Sequence, residues 1–385
     1  MTNSPRLKIL FFSAWYPHRY DAMAGLFVRK HALAVSRFAD VCVLFPYADE
    51  NVSEFEIVEQ ETDGVKEIFI YYPFYKKKIL KKFSKIINYW RSFKIGYKII
   101  LQQFGKPNIT QTNVLTRAGV FSFYLKKTQK IPFVIVEHWT RYLPSNLSYS
   151  GFIRKLTTQT IVKHASCVMT VSQSLYSAME NNGLHNKKHC TINNVVDDFF
   201  YIPQVKLFRT KKRILHVSCF SERAKNVKGL LNSVDKLRQL RNDFELIIIG
   251  TGEDFNDVQN YAHKLKLEGF VVFLGEKQPE EVCQNFYQSD FFVLFSNYEN
   301  APVVISESLA CGKPVITTDV GFAQSIITEQ NGRIIPVGNE AALTKEMNWM
   351  LDNYSQFSAE TIRESAKQFS FDAVGKKLLD IYEQI

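Results

Sequence analysis

The segment FSNYENAPVVISESLACGKPVITTDVG, residues 295–321, holds two carboxylates, Glu299 and Glu307, with seven residues between them. A buried strand runs into it, Pro302 is placed to be the first helical residue, Gly312 ends that helix and Pro314 opens the next strand. Proline suits the first turn of a helix and glycine the position just past its end. The N-terminus of a helix pinned in this way presents unpaired N–H groups and the positive end of a dipole, which hold phosphate or sugar oxygens. A carboxylate beside a phosphate does not favour the anion, so the chemistry left to the two glutamates is to accept hydrogen bonds from sugar hydroxyls. Taken singly each would be an ordinary surface charge; the strand, loop, helix, Gly and Pro around them make the pair specific.

Other residues invite two readings each. His138 closes IPFVIVEH where a buried strand would end, either as a core histidine or as a group at a ligand cleft. Arg223 and Lys225, in SERAKN, are solvated loop charges or phosphate ligands. Gly250 and Gly252, in IIIGTGE, form half of a dinucleotide fingerprint and serve equally to turn a strand into a helix. No complete G-x-G-x-x-G follows the first strand, which argues against a dehydrogenase. The other histidines show no ligand spacing, no Asp-x-Asp pair is present, and Cys42, Cys167, Cys190, Cys219, Cys283 and Cys311 are scattered without the pairing of a zinc or disulfide framework. No metal site is expected.

The elements that must position these groups alternate. Strands are expected over 7–12, 41–46, 67–73, 131–138 and 167–172, with helices over 26–38, 150–165 and SLYSAMENNG; a polar stretch, FFYIPQVKLFRTKKR, then precedes a second cycle. That cycle places strands over 214–220, 244–250, 271–275, 291–296 and 314–319 and helices over 228–240, 258–267, 280–289 and 302–310. The strands are continuous β-branched and aromatic runs rather than alternating ones, so they read as covered on both faces, hence parallel sheets with right-handed crossovers. Two doubly wound domains would put a cleft between them, with ligands at the carboxyl ends of the strands. The length of 385 residues accommodates two or three domains, and 46% hydrophobic with 22% charged residues is ordinary for a globular protein. No apolar run approaches the roughly 20 residues of a membrane span. The apolar run near the N-terminus, 9–12, is too short for a signal-peptide core, so a cytoplasmic protein is expected.

The net charge of +10 is unevenly placed: residues 1–200 carry 27 Lys and Arg against 14 Asp and Glu, the remainder 21 against 24. No acidic residue lies between Glu67 and Glu137, while Lys76, Lys77, Lys78, Lys81, Lys82, Lys85, Arg91, Lys94 and Lys98 crowd one segment. Within it Ile79, Phe83, Ile86, Ile87, Trp90, Phe93, Tyr97 and Ile100 recur at three and four, the stripe of a helix. Three readings stand: a helix lying on an anionic membrane surface, a nucleic-acid contact, or a core helix with a solvated lysine face. No recognition module supports nucleic acid, which is set aside.

The pair Glu299-x7-Glu307 followed by SLACGKPVITTDVG resembles the donor-binding signature of the retaining glycosyltransferases of family 4, among the glycosyl transferases group 1, whose GT-B fold pairs two Rossmann-like domains. SAWYPHRYDAMAGLFVRKHALAV is similar to that family's first loop and helix, VEHWT to its histidine loop, HVSCFSERAKN with LIIIGTGE to the start of its donor domain, and FSFDAVGKKLLDIYEQI to its closing helix. The resemblance implies an α/β fold with an acceptor-binding domain over 1–205, joined by a C-terminal helix over 364–385, and a donor-binding domain over 206–363. It implies that Glu307 holds the ribose hydroxyls of a nucleotide sugar, and that Glu299 with Asn300, Ala301, Pro302, Val303 and Val304 holds the transferred sugar. Lys225 and Arg223 would neutralise the leaving diphosphate, Gly25 would let the first loop approach it, and His138 would contact the sugar. His138, Glu299 and Lys225 are thus the expected catalytic residues.

The expected activity is retaining, metal-independent transfer from a UDP- or GDP-linked sugar, a co-substrate rather than a cofactor, to a glycan or lipid-linked glycan in cell-surface polysaccharide synthesis. The enzyme would be cytoplasmic and peripheral at an anionic membrane surface. A phosphorylase or sugar synthase of the same fold, and a catalytically idle nucleotide-sugar-binding scaffold, are the alternatives.

Overall fold

The computed structural model describes residues 6–75, 78–115, 117–144, 146 and 148–385; Lys76 and Lys77 of the basic run lie outside them. The chain forms two compact units, one of residues 1–195 with 371–385 and one of residues 196–370. The division falls before the expected 205/206 boundary, because Val196 and Phe200 are buried in the second unit's core. It returns at Phe371 rather than at 364, because Ile362, Ala366 and Phe369 belong to that core as well.

The first unit runs β1 (Lys8–Ser13), α1 (Leu26–Ser36), β2 (Asp40–Ala48), β3 (Glu56–Thr62), β4 (Val65–Tyr72), α2 (Lys78–Gln103), β5 (Ile109–Asn113), α3 (Arg117–Gln129) and β6 (Phe133–Glu137). It continues with α4 (Phe152–His164), β7 (Cys167–Thr170), α5 (Gln173–Asn181) and β8 (His189–Thr191). The second has β9 (Lys212–Val217), α6 (Glu222–Lys225), α7 (Val227–Leu237), β10 (Phe244–Ile249), α8 (Phe255–Lys264), β11 (Val271–Gly275), α9 (Pro279–Gln288) and β12 (Phe291–Leu294). After it come α10 (Val303–Ala310), β13 (Val315–Thr318), α11 (Ala323–Ile326), β14 (Gly332–Ile335), α12 (Glu340–Asn353) and α13 (Ala359–Ala366), and α14 (Phe371–Glu383) closes the first unit.

Among the described residues the sheets are ordered β3-β4-β2-β1-β5-β6-β7-β8 and β11-β10-β9-β12-β13-β14. Every pairing is parallel except β3 with β4, which is antiparallel at the edge. Strand order therefore reverses between β1 and β5 in the first sheet and between β9 and β12 in the second, the two points where loops part to opposite faces and leave a crevice. Both faces of each sheet are covered, as the unbroken apolar strands require. In β1, Ile9 and Phe11 pack toward α1 and α14 while Leu10 and Phe12 pack toward α2 and α3. In β9 and β10, Leu215 and Ile247 enter one core and Ile214 and Ile248 the other.

Two strands escape a reading by apolar runs. β3 is mostly exposed, as its polar sequence EIVEQET allows at an edge. β5, ITQTN, is wholly buried despite its polarity. Some of its side chains are satisfied in place: Tyr382 donates to Gln111, Gln111 Nε2 to Asn113 Oδ1 at 2.9 Å, and Thr112 and Ser122 share a hydrogen bond of 2.6 Å, while Thr110 Oγ1 and Asn113 Nδ2 are buried without a partner among the described residues.

The stripe of α2 divides along its length. Phe93, Tyr97 and Ile100 are buried against β1, β2 and α3, whereas Phe83, Ile86 and Ile87 stand exposed. A core helix and an unburied amphipathic surface are thus two halves of one element.

Helix α14 docks on α1 through Gly375, where a Cβ would meet the carbonyl oxygen of Ala34 at 2.1 Å. Gly375→Val should force the helices apart and lower unfolding stability by about 1–3 kcal/mol, read from the denaturant midpoint; an unchanged midpoint would contradict this packing.

Candidate functional site

In the second unit the loops leaving β9 and β12 meet beside the point where strand order reverses. The loop after β12 is sewn to α6: Asn297 N donates to Ala224 O at 2.7 Å and its Nδ2 to Arg223 O at 3.1 Å. Glu222 accepts from Val227 N and Lys228 N at 3.0 and 2.9 Å, fixing α6 to the start of α7, and Asn226 takes the left-handed turn between them at φ 51. These bonds place Lys225 against Glu299. Lys225 Nζ donates to Glu299 Oε1, which also accepts from Ser296 Oγ at 2.8 Å, and Thr318 Oγ1 holds the Ser296 carbonyl at 2.6 Å. Both charged side chains are largely shielded, at 14% and 12% exposure. A pair so buried is compensated while together and costly to leave with one member alone.

Pro302 is the N-cap of α10 rather than its first helical residue: its ψ of 108 is extended, and the helix begins at Val303. Asn300 is buried, Glu307 lies half-buried within α10, and Arg223 is exposed. Gly321 keeps the loop closed, since a Cβ there would meet Asn300 O at 2.3 Å at a φ of 61. Gly250, at φ 130, lets the backbone pass Ser218 O, which a Cβ would approach to 1.8 Å, so this glycine serves the turn. Behind Lys225, His216 is fully buried, with Nδ1 2.9 Å from Val293 O and Nε2 2.8 Å from Ser218 Oγ.

The remaining expected residues lie in the first unit. Gly25 caps α1 at φ 61, and a Cβ there would meet the Trp15 carbonyl oxygen at 2.4 Å, so the loop after β1 can fold back on itself only through glycine. His138 follows β6 and packs its ring on Phe27 and His31 of α1, at centroid separations of 4.2 and 5.5 Å. Burial, with His31 nearby, holds the His138 pKa well below its ordinary value. Its imidazole is therefore neutral near pH 7.

One residue at this end of the sheet was not singled out from the sequence. Glu137 is fully buried and accepts from Leu115 N at 3.0 Å and from His138 N and Trp139 N at 2.9 Å each. It ties the residue after Val114 to the histidine loop, and Val114 itself, at φ 62, adopts a conformation rare for a β-branched residue while donating its N–H to Val136 O at 3.0 Å. Burial raises its pKa. A carboxylate ending an apolar strand in VEHWT was the signal for it.

Among the described residues no group of three or more His, Cys, Asp or Glu could hold a metal ion, and no helix is long and apolar enough to cross a membrane.

Residues 197–369 match the family of glycosyl transferases group 1. That span is the second unit less one residue at each end. An uncharacterized glycosyltransferase of Methanocaldococcus jannaschii is 24% identical over 387 residues, which cover 98% of this chain and 99% of that one. The alpha-monoglucosyldiacylglycerol synthase of Streptococcus pneumoniae is 20% identical over 310 residues, 76% of this chain and 69% of that one. The crystal structure of Anabaena HepE in complex with UDP matches with a TM-score of 0.72 at 18% identity, covering 98% of this chain and 100% of that one. The second unit thus resembles the group 1 glycosyltransferases in sequence, and the chain has the GT-B fold class that its motifs implied. In glycosyltransferase terms the matched unit is the one that holds the Lys225–Glu299 pair.

Burial lowers the pKa of His216 from 6.5 to about 4. Between those values the unfolded chain binds a proton that the folded chain does not, so stability falls as pH falls from 6.5 toward 4, by about 3 kcal/mol for this group. His216→Asn should remove that part of the pH dependence, measured as the difference in urea midpoint between pH 7 and pH 4.5; the same slope in the variant would contradict the assignment.

Proposed function

We propose that the protein is a retaining, metal-independent glycosyltransferase that moves a sugar from a nucleotide-diphosphate donor, UDP- or GDP-linked, to a glycan or lipid-linked glycan acceptor in cell-surface polysaccharide synthesis. The observation that carries this reading is the Lys225–Glu299 pair at the switch between β9 and β12, beside the N-terminus of α10, within the residues that match the family. The pair holds two chemistries in a compensated state. A bound diphosphate takes Lys225, releasing Glu299 to accept hydrogen bonds from hydroxyls of the transferred sugar.

Lys225, Arg223 and the α10 N-terminus around Asn300, Ala301, Pro302, Val303 and Val304 then stabilise the charge that develops as the anomeric carbon–oxygen bond to phosphate breaks. The acceptor hydroxyl attacks that carbon from the face the phosphate leaves, and the departing phosphate oxygen takes its proton, so the anomeric configuration is kept. Glu307 holds the ribose hydroxyls. In the other unit, Gly25 shapes the loop that approaches the diphosphate, and neutral His138 orients a hydroxyl of the transferred sugar. The UDP in the HepE structure favours a uridine nucleotide, and the diacylglycerol glycolipid synthase among the relatives favours an amphiphilic acceptor. The exposed apolar and basic half of α2 suits a site of action at the anionic inner face of the cell membrane.

Calorimetric titration with UDP, GDP and ADP and their sugars tests this directly. One nucleotide should bind at micromolar concentration, and Glu307→Ala and Lys225→Ala should each weaken it by about 10- to 100-fold, the worth of hydrogen bonds to a charged group; no binding by any nucleotide would overturn the reading.

A further inference from the structure

The first unit holds two contiguous chambers at the carboxyl ends of its strands, beside the reversal between β1 and β5. One, of about 410 Å³, is walled by rings, among them Trp15, His18, Tyr47, Tyr72, Tyr89 and Trp139. Aromatic faces of this kind carry negative charge above the ring and pack against the polarised C–H faces of a sugar. The other, of about 620 Å³, receives four cations, Lys85, Arg117, Arg141 and Arg154, and the apolar side chains of Ile86, Trp90 and Ile153. Lys85, Tyr89, Arg117 and Trp139 line both, forming a waist between them. No described residue lining either chamber is acidic.

Carboxylates act on the cations only from a distance: Glu50 favours the charged form of Lys85 and Glu137 that of Arg141. Among the described residues none of the four has an ion-pair partner; Lys85 sits over the Phe74 ring at 3.9 Å and Arg141 over the Trp139 ring at 2.9 Å, contacts that leave their charge intact. Burial first, and then neighbouring Lys81 and Arg117, lower the Lys85 pKa. Tyr89 adds a buried hydroxyl and Arg141 a buried Nε, neither with a hydrogen-bond partner among the described residues. Ile86 of α2 and Ile153 of α4 line the cationic chamber, and beside them on the same two helices Phe83, Ile87, Phe152 and Leu156 are exposed as well, with Phe152 and Ile153 at 80% and 79% exposure.

Aromatic wall, cationic waist and apolar rim follow one another in that order. We infer that this unit binds an acceptor in which a sugar is joined through a phosphate or diphosphate to a hydrocarbon chain: the sugar in the aromatic chamber, the phosphate among Lys85, Arg117, Arg141 and Tyr89, and the chain between α2 and α4. Arginine forks and the phenol suit a phosphate, which accepts several charge-assisted hydrogen bonds at once, and an anion there relieves the repulsion among the cations. A bare membrane surface would account for the rim but not for the aromatic-walled chamber of about 410 Å³ beside it. The inference deepens the proposed transferase reading by naming its acceptor class, and rests on that reading for the direction of transfer alone.

The test uses the full chain and three soluble probes below their micelle concentrations: glucosyl diphosphofarnesol, octyl glucoside and glucose 1-phosphate. Binding is followed by tryptophan fluorescence, since Trp15, Trp90 and Trp139 line the chambers. The complete probe should bind at least about tenfold more tightly than either fragment. Lys85→Gln and Arg117→Gln should each weaken it about tenfold while leaving octyl glucoside unchanged. Phe152→Ser combined with Ile153→Ser should weaken only the two probes with a chain. Equal binding of octyl glucoside and the complete probe, or binding of phosphatidylglycerol vesicles that matches the probe and ignores Arg117→Gln, would overturn the proposal. UDP titration of the same samples separates the two readings: amphiphile binding without UDP binding supports this site and refutes the donor proposal, whereas UDP binding without amphiphile binding refutes this site alone.

Discussion

A parallel sheet delivers every strand to the same edge, and the position of each functional group in this protein follows from that constraint. Neighbouring strands that must point the same way are joined by helices on alternate faces, and where the chain changes face the two central loops diverge. In the second sheet those loops follow β9 and β12, and they carry Lys225 and Glu299. In the first they follow β1 and β5, and with the loop after β6 they carry Trp15, Gly25, Arg117, His138 and Trp139. Neither set is close in sequence. Each is assembled because the backbone hydrogen bonds of buried strands leave no other register open.

What the two edges present differs in kind. The second unit's charges are paired internally, with Ser296 and Thr318 holding the carboxylate in place behind the ammonium. Such a pair is compensated as it stands, and on the proposed reading it would exchange one compensated arrangement for another when a diphosphate arrives. The first unit's cations have no ion-pair partner among the described residues, so on the inferred reading an anion there would complete the structure rather than rearrange it. Buried histidines kept neutral in both units, His31 and His138 in one and His216 in the other, let the charges that matter act without added positive charge behind them.

Much of this was legible in the residues. Apolar runs such as FELIIIG and FFVLF give buried parallel strands because no other element covers both faces, and the Pro and Gly that bracket VVISESLA bound α10 to within a residue. Those signals are local. What escaped depended on partners distant in the chain: β5 is polar, and its Gln111 is satisfied at the centre of the sheet by Tyr382, at the far end of the chain. Glu137 looks like one more acid until three backbone amides converge on it. The split of the α2 stripe into a buried and an exposed half was hidden for the same reason, since periodicity reports which residues share a face but not how far the neighbouring helix extends. The cationic chamber was invisible for a further reason: its four cations come from α2, α3, α4 and the turn after β6, and only the lysine lay in the run that drew attention.

The central claim is that Lys225 exchanges Glu299 for the donor's diphosphate while Glu299 turns to the sugar. The measurement that tests it most directly is the affinity of Glu299→Gln for UDP and for the matching UDP-sugar, by calorimetry at neutral pH. If the exchange is real, freeing Lys225 from its carboxylate tightens UDP, which has no sugar for Glu299 to hold, and weakens the UDP-sugar, which has lost that acceptor. Equal changes in the two affinities, or a weaker hold on UDP, would contradict it.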